Sequence, residues 1–309
     1  MKKLSASVDF KSQRDRSVLL EVAVRNEPIL YGLWTFDVRL GKRALSPAGK
    51  WTKTCEHTER GCDYIEIELP LSSDDSADDD SVRDDSACDY RLQRCLLINH
   101  RDKVLLLADA LLADEDDEEE GTNDGPKELL SYCAEFYVSP KLRAKISAEA
   151  TEIEFRPVGR SVAGRSAAPV FRVLPLALPE WKTAQMSLGR ATSLVSGTLT
   201  ETEGTLVLRQ ESTGRSLFAP LFFDLDADRL SKRYTWRQLS VGENLQRMRE
   251  DQAVGYRIQL AQEQFLLYRS LTPKASRTVL GHNLLDDFCF AKFAPETGVD
   301  PLIAVEVVE

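Results

Sequence analysis

The sequence predicts an all-β protein: a large antiparallel β-sandwich, or supersandwich, with one or two short helices. Three observations predict it. Apolar residues recur with period two, as in Asp63-Tyr64-Ile65-Glu66-Ile67-Glu68-Leu69, where residues 65, 67 and 69 share one face and the glutamates take the other. Other runs (96–98, 104–112, 217–223, 265–268 and 302–308) are apolar nearly throughout, the pattern of strands covered on both faces by stacked sheets. Turn signals such as Gly41, Gly61, Pro70, Pro140, Gly204, Gly214 and Gly281 interrupt the chain at short intervals.

The elements follow in order. Strand 63–70 leads through an acidic loop, 72–89, to strand 90–99. A tight turn gives 103–112, and a second acidic loop, 113–126, leads to 129–138. Short links and alternating sense predict a meander of long antiparallel strands. Helical signal is confined to 139–150 and 226–233, with 241–250 ambiguous. Segment 157–169, rich in Gly, Ser, Ala and Arg, is the expected loop between two sub-blocks, 1–156 and 170–309, of a single supersandwich spanning 1–309. The second block alternates over 205–211 and 253–260, predicts a hairpin 253–260/264–270, and ends in strands near 286–293 and 302–308. No internal repeat has a fixed period.

Charge is unevenly placed. The formal net charge is −10, but eight acids lie in 74–89 and eight in 114–124. Without these sixteen acids and the single Arg83 among them, 34 acids face 39 bases, so the remaining body is mildly basic. Dense like charge repels and stays solvated, which predicts solvated loops. No apolar run approaches the roughly 20 residues that span a bilayer, and no membrane partner is expected. The start, Met1-Lys2-Lys3-Leu4-Ser5, lacks the apolar centre of a signal peptide, so the expected compartment is the cytoplasm. In that compartment the six cysteines are expected to be free thiols.

The residue types that carry chemistry form no complete motif. Asp224-Leu225-Asp226-Ala227-Asp228 opens like a calcium loop, but the sixth and twelfth places hold Arg229 and Thr235 instead of Gly and Glu. The alternative is a strand end followed by an Asp-capped turn. Cys55, His57 and Cys62 lack the second ligand pair that structural zinc requires. There is no Gly-x-Ser-x-Gly and no phosphate loop, and His100 in Asn99-His100-Arg101-Asp102 reads as a turn residue. No metal and no cofactor are expected, and the chain leans away from being an enzyme.

The most suggestive pattern lies in the last third. Trp236-Arg237, Tyr256-Arg257 and Tyr268-Arg269 each pair an aromatic with an arginine, and Arg277, His282 and Asn283 follow. Strand neighbours point to opposite faces, so each pair puts one residue inward and one outward. If Arg257 and Arg269 share a hairpin face they form a cationic strip that receives carboxylates or sulfates. These nine residues are the candidate ligand-binding set. The alternative is arginines exposed on a sheet above core aromatics. Nucleic acid is disfavoured, since no helical reading element or aromatic RNA-binding signature is present.

Two stretches carry a resemblance. The first is Asp63-Tyr64-Ile65-Glu66-Ile67-Glu68 followed by the run from Arg91-Leu92-Gln93-Arg94-Cys95 through Asn99-His100-Arg101-Asp102 to Leu107-Ala108-Asp109. It resembles the β-sandwich part of heparinase II/III-like proteins. The second runs from Ala219-Pro220-Leu221-Phe222-Phe223-Asp224 through Trp236-Arg237-Gln238-Leu239 to Tyr268-Arg269-Ser270-Leu271 and Arg277-Thr278-Val279-Leu280-Gly281-His282-Asn283-Leu284. It resembles uncharacterised bacterial proteins associated with the same sandwich. The resemblance implies a supersandwich with polysaccharide history, without the helical toroid that full enzymes of that family carry. The function expected is a non-catalytic sandwich module that binds an anionic polysaccharide or another macromolecule, such as a protein partner. The alternatives are a partial or degenerate polysaccharide lyase and a structural scaffold.

Overall fold

The computed structural model describes residues 4–10, 16–73, 90–113, 128–159, 167–183, 194–273, 275–294 and 298–306. The acidic runs 74–89 and 114–124, and 160–166 of the expected linker, lie outside the described residues. The rest is built almost wholly from antiparallel strands, as the alternation predicts.

Fifteen strands form the first sheet. They are β1 (Leu4–Asp9), β2 (Ser17–Val24), β3 (Glu27–Leu40), β4 (Arg43–Pro47), β5 (Thr52–Glu59), β6 (Cys62–Ser73), β7 (Tyr90–Asn99), β8 (Val104–Ala113), β9 (Leu130–Tyr137), β10 (Leu142–Ile146), β11 (Ile153–Pro157), β12 (Phe171–Pro175), β13 (Val195–Thr202), β14 (Thr205–Ser212) and β15 (Leu217–Asp224). Their main path runs β10-β11-β12-β15-β8-β7-β6-β4-β3-β9-β14-β13, with β5 beside β6 and the β1–β2 hairpin beside β3. After Asp224 the chain enters a second sheet, ordered β16 (Tyr234–Leu239), β19 (Ala253–Leu260), β20 (Glu263–Ser270), β23 (Phe288–Ala294), β24 (Gly298–Val305). A third, small sheet orders β18 (Gln246–Arg247), β17 (Val241–Glu243), β21 (Arg277–Val279), β22 (His282–Leu284).

Side-chain alternation divides the interior into three cores. The first sheet curls around its own core, into which β7, β8 and β15 send Leu96, Ile98, Leu105, Leu107, Leu221 and Phe223. Their alternate residues, Leu97, Leu106, Ala108, Phe218 and Phe222, face the second sheet and meet Trp236, Tyr256, Ile258, Phe265 and Phe290. These strands are therefore buried on both faces, which is why they read as continuous apolar runs. Each large side chain so buried stabilises the fold by roughly 1.5–3 kcal/mol. The third core is thin: Leu266, Tyr268, Cys289 and Ala291 of the second sheet lie under Val241, Val279 and Leu284 of the small sheet.

Several expectations need correction. The meander holds for β6, β7 and β8, but β9 does not continue it. Strand β9 pairs with β3 and β14 instead, and β15 takes the place beside β8. Segment 139–150 is not a helix. It contains β10, whose Leu142 and Ala144 pack on the first core, so tertiary burial overrides a run of helix formers. Segment 226–233 is a turn closed by backbone donation from Arg229 and Leu230 to the Asp226 carbonyl, and 241–250 holds β17 and β18. Segment 157–169 joins β11 to β12, which are neighbours within the first sheet.

Both large cores contain ionised groups. In the first, Arg94 donates two hydrogen bonds to Asp109 (2.8 and 2.7 Å) and one to the Trp34 carbonyl (2.8 Å). Its guanidinium lies 3.9 Å from the Trp34 ring centroid, and the Tyr132 hydroxyl donates to the same carboxylate at 2.6 Å. Such a buried, fully bonded pair adds little net stability, but losing one partner would leave the other as an uncompensated buried charge.

Candidate functional site

The second sheet carries the candidate residues, and its two faces treat them differently. Trp236 and Tyr256 point inward and are buried in the core between the sheets. Their neighbours Arg237 and Arg257 point outward and are exposed. The third pair is inverted. Tyr268 faces outward into the thin third core, while Arg269 faces inward and is buried. Arg257 pairs with Leu266 and Arg269 with Val254, so Arg257 and Arg269 lie on opposite faces of the hairpin and form no common strip.

Arg269 is instead a clamp between the sheets. It donates to Glu66 at 2.7 Å and to the Gln93 side chain. Glu66 also accepts from the Tyr64 hydroxyl at 2.7 Å and from Thr54 at 3.2 Å. Arg277 is likewise consumed. It bonds Glu243 at 2.9 Å, Thr272 at 2.6 Å and the Ser270 hydroxyl, tying the small sheet to β20. His282 lies against Gly298, where an added Cβ would stand 2.8 Å from the ring; that glycine also has φ +77°, so two constraints fix it. Asn283 is exposed and accepts from Thr278 at 3.1 Å.

One pair of candidates does converge. Arg237 and Arg257 are directly opposed in the β16–β19 register. Like charges placed so are mutually unfavourable. Among the described residues neither has a carboxylate partner. Arg257 leans away onto the Gln264 carbonyl oxygen (3.1 Å from Nε) and over the Phe293 ring at 5.8 Å.

Gln264 and Phe293 are also walls of an open cleft of about 830 Å³ between the first and second sheets. Hairpin turns bring its charged residues together. The β5–β6 turn has φ of 51° at Arg60 and 79° at Gly61, the geometry of a two-residue turn matched to strand twist. It delivers Arg60, which bonds Asp300 of β24 at 2.7 Å. The β7–β8 turn, held by mutual bonds between Asn99 and Asp102 of 2.8 and 3.0 Å, delivers Arg101 and Asp102. Lys292 of β23 bonds Asp102 at 2.9 Å and Glu263, the first residue of β20. Burial pulls the Lys292 ammonium down, but bonds to these two carboxylates outweigh it and raise its pKa. Arg101 is exposed and makes no ion pair or hydrogen bond among the described residues.

The other motifs resolve into structure. Arg229 donates to Asp224 at 2.6 Å and Lys103 to Asp226 at 2.7 Å, so cationic side chains fill the would-be calcium loop. Among the described residues no group of three or more His, Cys, Asp and Glu is placed to hold a metal. The five described cysteines are free thiols, and burial pushes Cys62 and Cys289 up to about 12. His100 is a turn residue whose Nε2 lies 2.6 Å from Asp63, a bond that lowers the Asp63 pKa. Among the described residues no helix is long and apolar enough to cross a membrane. Neither a protein-family model nor a curated protein sequence matches this chain.

Sequence reasoning singled out Arg257 but missed Arg60, Arg101 and Lys292. Arg60 and Arg101 sit in hairpin turns, where alternation gives no facing, and Lys292 lies within β23 between two apolar residues. For Arg60 and Arg101 the available signal was the charge density of the turns.

Proposed function

We propose that the protein is a non-catalytic β-sandwich module that binds an anionic polysaccharide along the outer face of its second sheet. The observation that carries this reading is the directly opposed, exposed pair Arg237 and Arg257. A sulfate or carboxylate bridging two guanidiniums offsets their repulsion and takes paired N–H donors from each. Gln264 and Phe293 continue the same surface into the cleft. The resemblance to the sandwich of heparinase II/III-like proteins points to the same ligand class. A non-catalytic role is favoured because Arg94, Arg229, Arg269 and Arg277 are buried and committed to ion pairs or hydrogen bonds. Raised thiol pKa values also make poor nucleophiles of Cys62 and Cys289.

Calorimetric titration with heparin, alginate and chondroitin sulfate tests the reading. Binding of at least one is expected, weakening with added salt as screened surface charge requires. The double variant Arg237→Ala/Arg257→Ala should lose about tenfold or more in affinity, a few charge-assisted bonds' worth. Failure of the wild-type protein, folded by circular dichroism, to bind any of the three overturns the proposal. Unchanged affinity in the double variant does so equally.

A further inference from the structure

We infer that the cleft between the two sheets is a separate subsite for a single sugar-acid residue, with its carboxylate on Arg101. The inference rests on the polysaccharide reading above for the source of that residue, but on different atoms for its recognition. About 830 Å³ falls within the range of roughly 300–1,000 Å³ usual for small-molecule sites, and junctions between packed units are their common location.

The charges in the cleft are not equivalent. Arg60 is held by Asp300 and by the Pro301 carbonyl at 2.9 Å. Lys292 is held by Asp102 and Glu263. Arg101, at the tip of the β7–β8 turn, has an exposed guanidinium with no such partner among the described residues. It is the cation free to take a ligand carboxylate, and the planar fork suits two-point contact.

The rest of the lining suits hydroxyl groups. Asp300 and Glu263 each share a single cation, leaving lone pairs that a hydroxyl donor can fill. Gln262 adds an amide, which both donates and accepts. Phe293 is half-buried and offers apolar surface beside them. Arg60, Arg101 and Lys292 balance Asp102, Glu263 and Asp300, so the cleft as a whole is neutral. A densely sulfated unit therefore gains little there. A ring with one carboxylate and several hydroxyls matches both the free cation and the surplus acceptors.

Titration calorimetry with trigalacturonate, maltotriose and long-chain alginate tests the inference on wild-type protein, on Arg101→Ala and on Arg237→Ala/Arg257→Ala. Trigalacturonate should bind wild type about tenfold or more tightly than maltotriose, and Arg101→Ala should abolish that preference while leaving the weak maltotriose signal unchanged. All three substituted residues are exposed, and circular dichroism checks that each variant folds. Trigalacturonate binding that is absent, or unchanged in Arg101→Ala, overturns the subsite. If alginate binding still depends on Arg237 and Arg257 in that case, the polysaccharide reading survives. If trigalacturonate binds through Arg101 while alginate ignores Arg237 and Arg257, the outer-face reading falls and the subsite stands.

Discussion

Replacing Arg269 by methionine should destabilise the fold by about 3–5 kcal/mol, because it strands Glu66 as an uncompensated charge between the sheets. The side chains of Glu66 and Arg269 are only 1% and 3% exposed, so water cannot replace the lost guanidinium. Glu66 would keep two neutral donors, Tyr64 and Thr54, against one charged donor lost. Methionine retains the stem packing of arginine, so the loss reports charge more than volume. Urea unfolding at pH 7 reads the effect: with a slope near the top of the roughly 1–3 kcal/mol/M range, the midpoint should fall by about 1 M or more with the slope unchanged. Adding Glu66→Gln removes the stranded charge and should recover at least about 2 kcal/mol, a coupling typical of contacting groups. The reasoning is refuted if Arg269→Met costs under about 1 kcal/mol, or if the double variant is no better than the single. A ligand-binding role for Arg269 predicts the reverse pattern, with little loss of stability and a loss of glycan affinity.

Two further outcomes are expected. Gln210 is buried in the first core beside Tyr132, and neither its side-chain oxygen nor its nitrogen has a hydrogen-bond partner among the described residues. Gln210→Leu should therefore raise stability by about 1–2 kcal/mol, and a destabilisation of that size in thermal unfolding would count against the assignment. Glu154 titrates below the carboxylate value of 4.5: burial raises its pKa, but hydrogen bonds from Arg172 and Arg156 outweigh it. A depressed folded pKa gives stability that is present above 4.5 and lost as pH falls through the lowered folded value. Acid unfolding of Glu154→Gln should thus show a shallower decline of stability below that pH, and an identical decline would remove Glu154 as a contributor.

Much of the fold was legible because strand alternation maps directly onto burial. The segment 63–69 is apolar on 65, 67 and 69 and lies in β6, and the runs 104–112 and 217–223 are apolar nearly throughout, Asp109 excepted, because β8 and β15 separate two cores. Pairing was less legible. Nothing local tells β9 to choose β3 and β14 over β8, because the decision rests on partners far away in the chain on both sides, such as Thr35 for Glu135 and Ser212 for Leu130. Glu66 shows a further limit: by alternation it belongs on the wet face, yet it is buried, because its charge is met by an arginine that lies 203 residues further along the chain.

The same limit explains why only part of the candidate site was found. Alternation fixes that the two members of an aromatic–arginine dipeptide oppose one another, but it does not fix which faces in. At Trp236-Arg237 and Tyr256-Arg257 the outward face is open, and the arginine takes it. At Tyr268-Arg269 the small sheet covers the outer face, so an apolar ring can be buried there. Glu66 waits on the inner side, so the guanidinium gains a partner by turning inward. The phase of that dipeptide is thus set by what the outer sheet covers and where the first sheet places one carboxylate. The exposed cationic pair consequently runs between β16 and β19, not along the β19–β20 hairpin, with Gln264 of β20 on its far side as the next residue of the same surface.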